Sequence, residues 1–126
     1  MRHRQWPSAC SYRIMLDALT TNLERYMDLL SARQKLVSSN VANADTPGYQ
    51  AQDIDFQFEF ATLLRGEKPQ TIPAQGLKEK PDGNNVDVDR EARMLAENAM
   101  RFNVASTLLR SQIKMVRTAI QGGNGG

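Results

Sequence analysis

The sequence predicts a mostly α-helical chain in which two long amphipathic helices, N-terminal and C-terminal, pack coiled-coil-like around a loop-rich middle segment containing a short helix or extended piece. Three observations predict it. Apolar residues recur at alternating steps of three and four from Leu16 to Asn40, and again from Ala92 to Ile120. Between Ser38 and Phe56 the run SSNVANADTPGYQAQDIDF breaks the first pattern with asparagines and a Pro-Gly pair. From Gly66 to Asn85, three prolines and three glycines stand among scattered Lys and Glu, the composition of loop or disorder.

The first helix is expected over residues 15–44, with Leu16, Leu19, Leu23, Tyr26, Leu30, Arg33, Val37 and Asn40 on one narrow seam that Met27 and Val41 broaden. The seam turns polar at Arg33 and Asn40. A buried polar residue there fixes register at a cost in stability; the other reading is that either side chain faces solvent. Thr46 precedes a proline and is driven out of the helical region, and Pro47-Gly48 suits the two central positions of a type II turn. Asn40 and Asn43 are three apart on one face, and asparagine tolerates the geometry that ends a helix. Tyr49 is read as packing this turn against the helices, with a binding aromatic as the alternative.

Residues 45–88 form the turn, a short helix and a flexible remainder. Ile54, Phe56, Phe58 and Phe60 alternate with polar residues as a strand would, while Phe56, Phe60, Leu63 and Leu64 also share a helical face. An extended start to about Asp55 followed by a helix to Arg65 reconciles both patterns, with Asp53 or Asp55 as cap. The second long helix is expected over residues 89–121, its seam formed by Ala92, Leu95, Ala99, Phe102, Ser106, Leu109, Ile113, Val116 and Ile120. Asp87 or Asp89 caps it, Glu91 adds negative charge to its first turn, and Arg110, Lys114 and Arg117 lie toward its far end, matching the helix dipole. Residues 122–126, GGNGG, form a flexible tail. Residues 1–14 carry Arg2, Arg4 and Arg13 without an acid or an apolar signal core; they are expected to be a disordered extension, or the product of a start placed upstream of Met15.

Composition excludes several function classes. Sixteen basic and 14 acidic residues leave a net charge of +2, too balanced to indicate nucleic acid or an anionic membrane as partner. Cys10 is the single cysteine, so no disulfide forms within the chain, and no apolar run suffices for membrane insertion. The pairs Asp53/Asp55 and Asp87/Asp89 lack further ligands nearby. An EF-hand starting at Asn85 fails because Arg90 and Ala96 stand where glycine and glutamate are required. No nucleophile with a base and no phosphate-binding loop is found, so no enzyme, cofactor or metal is expected.

Two stretches carry more than helix punctuation. ANADTPGY followed by QAQDIDF, and DGNNVDVDREARMLAEN from Asp82 to Asn98, resemble, in order, the signatures of the bacterial flagellar axial proteins, the rod and hook family. With the flanking helices the resemblance covers most of Met15 to Gly123; the middle segment is shorter than usual for the family and the N-terminal extension is unexpected. The resemblance implies a structural subunit of the flagellar rod, in the basal body and periplasm, which assembles helically to carry torque from membrane ring to hook. It implies export by the flagellar type III apparatus. The implied partners are copies of itself, other rod proteins, the ring-to-rod junction protein, the membrane-embedded ring and the export gate. Asn40, Asn43, Asp45, Thr46, Pro47, Gly48 and Tyr49 would form the family elbow, and Phe56 and Phe60 a Phe-led export motif. Leu16, Leu19, Leu23, Tyr26, Leu30, Val37, Leu95, Phe102, Leu109, Ile113, Val116 and Ile120 would meet neighbouring subunits, leaving the isolated monomer marginal in stability. The rival class is a cytoplasmic helical adaptor or export chaperone, using the same seams to hold a client helix.

Overall fold

The computed structural model describes residues 9–62, 65 and 67–123. Helix α1 spans Ala9–Ala42, strand β1 Gln52–Ile54, helix α2 Phe56–Ala61, strand β2 Thr71–Pro73 and helix α3 Val88–Gly123. At 34 and 36 residues, the long helices each extend about 50 Å. They run antiparallel: Asn40 meets Glu91, whereas Leu30, further back on α1, meets Asn98, further along α3. The two strands pair antiparallel, Gln52 opposite Pro73 and Ile54 opposite Thr71, and Ala74 N–H extends the ladder to the Ala51 carbonyl at 2.8 Å.

The helix ends follow from local chemistry. Asp87 caps α3, its side chain accepting from Arg90 N–H at 3.1 Å, and Asp55 caps α2 by accepting from Phe58 N–H at 3.1 Å. After Ala42 the chain leaves α1 through i→i+3 bonds from Ala44 N–H to Val41 O and from Thr46 N–H to Asn43 O. The turn closes as expected: Tyr49 N–H reaches Thr46 O at 3.2 Å, with Gly48 at φ +73°.

Several boundaries differ from those expected. Residues 9–14 already belong to α1, because extending a nucleated helix adds a hydrogen bond per residue and needs no tertiary support; residues 1–8 lie outside the described residues. The segment read as loop contains β2, which β1 recruits. Helix α3 continues through Gly122 and Gly123, so its last turn carries no base although Arg117 lies just before it. Leu63 and Leu64, assigned from sequence to the face of α2, and residues 124–126 of the tail lie outside the described residues.

Burial is uneven along the hairpin. Leu29, Leu30, Val37, Ile54, Met94 and Ala105 are buried, and Ala51, Ala74 and Val86 form a small cluster beside the turn with Ala44, Tyr49 and Leu77 packed on it. Toward the free end the apolar side chains lie open: Tyr12, Ile14, Met15 and Leu19 on α1, and Val104, Leu108, Ile113, Met115, Val116 and Ile120 on α3.

Candidate assembly surface and the clasp that orients it

The elbow is built around Asn40, whose side chain is wholly buried at the last full turn of α1. Its amide donates to Gln52 O at 2.8 Å and to Glu91 Oε2 at 3.1 Å, while its oxygen accepts from Gln52 N–H at 3.0 Å and the Tyr49 hydroxyl at 3.2 Å. One side chain thus ties α1 to the turn, to β1 and to α3. Glu91 is equally buried and accepts from Arg90 Nη1 at 2.6 Å. Arg90 Nη2 continues to Asp53 Oδ2 at 2.7 Å, and Arg33 Nε to Asp53 Oδ1 at 3.2 Å. Two cations thus face two carboxylates in a site with little water, where charge-assisted bonds are strong only while all members are present.

A second asparagine completes the clasp. Asn84, also wholly buried, donates to Asn43 O at 2.9 Å and Thr46 O at 2.8 Å, adding a second bond to each of two turn carbonyls just beyond α1. The last turn of α1 holds no base, and Lys80 supplies one from the middle segment, its ammonium 3.2 Å from Ala44 O. Asn85 accepts from Ala51 N–H at 2.7 Å, and Gly48 N–H donates to Asp82 O at 2.9 Å. Gly83 sits against this turn at φ +83°, which strains any residue with a side chain, and a Cβ there would crowd Gly48 Cα at 3.3 Å, so both features favour glycine.

The two stretches singled out in the sequence therefore interlock in space. Asn40, Asn43, Thr46, Gly48 and Tyr49 all bond within the clasp, Asn43 donating to Ser39 O and Thr46 to Asn43 Oδ1. Asp45 and Pro47 are exposed on the turn. Asp53, Asn84, Asn85, Arg90 and Glu91 are clasp members to which the sequence reading gave no such role, whereas Arg33 stood out there as a polar seam residue. The available signal was a run of polar residues, Asp82 to Arg90, beside a helix start, with no charge balance to be gained locally.

Helix α2 docks through aromatic contacts. Tyr26 meets Phe56 and Phe60 edge-on, with ring centres 5.9 and 5.6 Å apart, and the guanidinium carbons of Arg33 and Arg101 lie 5.3 and 5.1 Å from the Phe56 centre. A hydrogen bond to Tyr26, then contact with Glu97, raises the Arg101 pKa from its ordinary value although burial opposes it, so this cation stays charged. In the folded chain Phe56 is thus a packing residue; Phe60 touches Tyr26 yet remains half exposed, and Phe58 points outward.

The helix seams behave differently. On α1 the expected seam is the one used within the chain, with Leu30 and Val37 buried and Leu16, Leu23 and Tyr26 half-buried. Leu30 and Val37, read from the sequence as meeting neighbouring subunits, are already buried within the single chain. On α3 the buried line is Glu91, Met94, Asn98, Ala105 and Gln112. The predicted seam lies one residue further on, about 100° around the helix, and Leu95, Phe102, Ile113, Val116 and Ile120 stay 43, 40, 50, 38 and 64% exposed. Only Ser106 and Leu109 of that stripe are half-buried.

Comparison with known proteins places this architecture. The family model described as "Flagella basal body rod protein" matches residues 27–50, the end of α1 and the turn. The flagellar basal body rod protein FlgB of Salmonella typhimurium is 35% identical over 134 residues, covering 86% of this chain and 97% of the relative. The chain belongs to the FlgB family of flagellar basal body rod proteins. FlgB of Escherichia coli is 34% identical with the same coverage, and FlgB of Borrelia hermsii 28% identical over 77% of this chain and 91% of its own. The aligned length of 134 exceeds the 126 residues of the whole chain, so the FlgB of Salmonella carries residues that this member lacks. Among the described residues no group of three or more His, Cys, Asp or Glu side chains is placed to hold a metal, and no helix is long and apolar enough to cross a membrane.

Proposed function

We propose that this chain is a structural subunit of the flagellar rod whose unburied helix faces are completed by neighbouring subunits in a helical array. The observation that carries this reading is the division of labour along the hairpin. Its elbow end is closed by a saturated polar clasp, whereas its free end leaves both α1 and α3 with apolar faces in water. Heterologous contacts, in which one face of a subunit meets a different face of the next without closing into a ring, generate a filament, and many interdigitated helices transmit torque as a solid shaft. The same reading places the chain in the basal body within the periplasm, beside other rod proteins, the ring-to-rod junction protein and the membrane-embedded ring. It gives the chain no catalytic step.

Sedimentation across a concentration series tests it against the adaptor or chaperone reading. A rod subunit sediments as a monomer when dilute and as a widening distribution of larger species when concentrated. A single dimer, constant over the series, would favour the chaperone.

Passage through the type III export gate as an unfolded chain also belongs to this proposal. Phe56 and Phe60 are then the recognised pair, available to the gate before they pack against Tyr26. Export of a Phe56→Ala/Phe60→Ala chain is expected to fall several-fold in a secretion assay; export at the unsubstituted level would leave the pair with packing alone.

A further inference from the structure

Four buried positions on α3, Glu91, Asn98, Ala105 and Gln112, are spaced by seven and form one line, the first three of them lying against α1. Three of them are polar and the fourth is small. The more apolar stripe, one residue along, is left outside. Apolar burial alone favours the opposite arrangement: turning α3 by about 100° would bring Leu95, Phe102, Ile113, Val116 and Ile120 onto α1. Something in the chain outweighs that gain.

We propose that Glu91, Asn98 and Gln112 act as a rotational key: they select which face of α3 meets α1 and thereby keep the apolar stripe outward. Glu91 is held through Asn40 and Arg90 at the clasp. Asn98 reaches into α1 itself, donating to Leu30 O at 2.8 Å and Gln34 Oε1 at 3.1 Å. Such bonds form at one rotation and one register only. Ala105 lets the helices approach between them, beside Leu23 and Tyr26.

The line is poor at stabilising the hairpin, which argues for selection as its role. Asn98 Oδ1 and Gln112 Oε1 are buried without a hydrogen-bond partner among the described residues, a costly arrangement that leucine at either position would remove. Buried polar residues kept at a cost in stability are best attested as register and partner selectors in helix pairs. The inference rests on the rod-subunit reading only for what the outward stripe meets; the rotation itself is a property of one chain and is tested on dilute monomer.

The test uses single cysteines in a Cys10→Ala background and reads thiol labelling rates. Ala105→Cys, on the buried line, is expected to be protected, and Ile113→Cys, on the outward stripe, to react freely. Adding Asn98→Leu and Gln112→Leu is expected to exchange the two, with at least a tenfold gain at 105, a comparable loss at 113, and a thermal midpoint equal to or above that of the parent. Unchanged labelling at both positions in the double-leucine chain would overturn the proposal. So would a lowered midpoint with both thiols reactive, because the polar residues would then be ordinary supports of the hairpin.

Discussion

Replacing Asn40 by alanine is expected to destabilise the chain by about 3–5 kcal/mol, the range for breaking a buried polar network. The substitution removes four hydrogen bonds at once. It strands the Gln52 backbone groups and one oxygen of the wholly buried Glu91 carboxylate, while the Tyr49 hydroxyl keeps only its contact with the Ser39 hydroxyl at 3.3 Å. In a chain whose free end contributes little burial, that loss is a large fraction of the total. Thermal unfolding followed by circular dichroism should show a midpoint lowered by more than about 10 °C. Asn40→Asp should be worse still, since it sets a second carboxylate about 3 Å from Glu91 in a site already shielded from water. A loss below about 1 kcal/mol for Asn40→Ala would mean that the clasp relaxes around the gap and holds no strategic position.

The opposite profile is expected at the free end. Phe102, Ile113 and Val116 are 40, 50 and 38% exposed, so exchanging all three for glutamate removes only partial intrachain burial and should lower monomer stability by about 1 kcal/mol per site. Assembly should be abolished, because three buried carboxylates would each require desolvation at every subunit contact. Analytical ultracentrifugation of the variant should show monomer at concentrations where the parent forms larger species, and a strain carrying only the variant should not swim. Undiminished assembly would move the subunit contacts to another face of the hairpin. The pair of experiments separates folding from polymerisation: one substitution disables the chain while leaving the outward stripe intact, the other does the reverse.

Much of this organisation was legible in the sequence, and for identifiable reasons. Steps of three and four report a helix directly, because periodicity depends on the helical repeat and not on what the helix meets. Thr46-Pro47-Gly48-Tyr49 could be read as a turn because proline and glycine restrict or license backbone angles by themselves. The caps at Asp55 and Asp87 are equally local, each accepting from the backbone N–H three residues on. The short helix after an extended start was readable from the alternation around Phe56, although β2 was not: a strand of Thr71–Pro73 exists only because β1 lies beside it. The clasp was half visible. Asn40 stood out as a polar seam residue, but its partner Glu91 is far along the chain, and no local pattern couples them.

What the sequence by itself determined about this protein is therefore the inventory: two amphipathic helices, the turn that reverses them, their caps, and the two motif stretches that mark the family. Tertiary structure alone decided which stripe of α3 turns inward, that Arg33, Arg90, Asp53 and Glu91 share one site, and that Leu30 and Val37 belong to the chain's own interior. The physical reason is that periodicity names an apolar face without naming its partner. Hydrogen bonds from Asn40, Asn84 and Asn98 are directional and join segments far apart in the chain, so the face of α3 that turns inward depends on partners that no local pattern names.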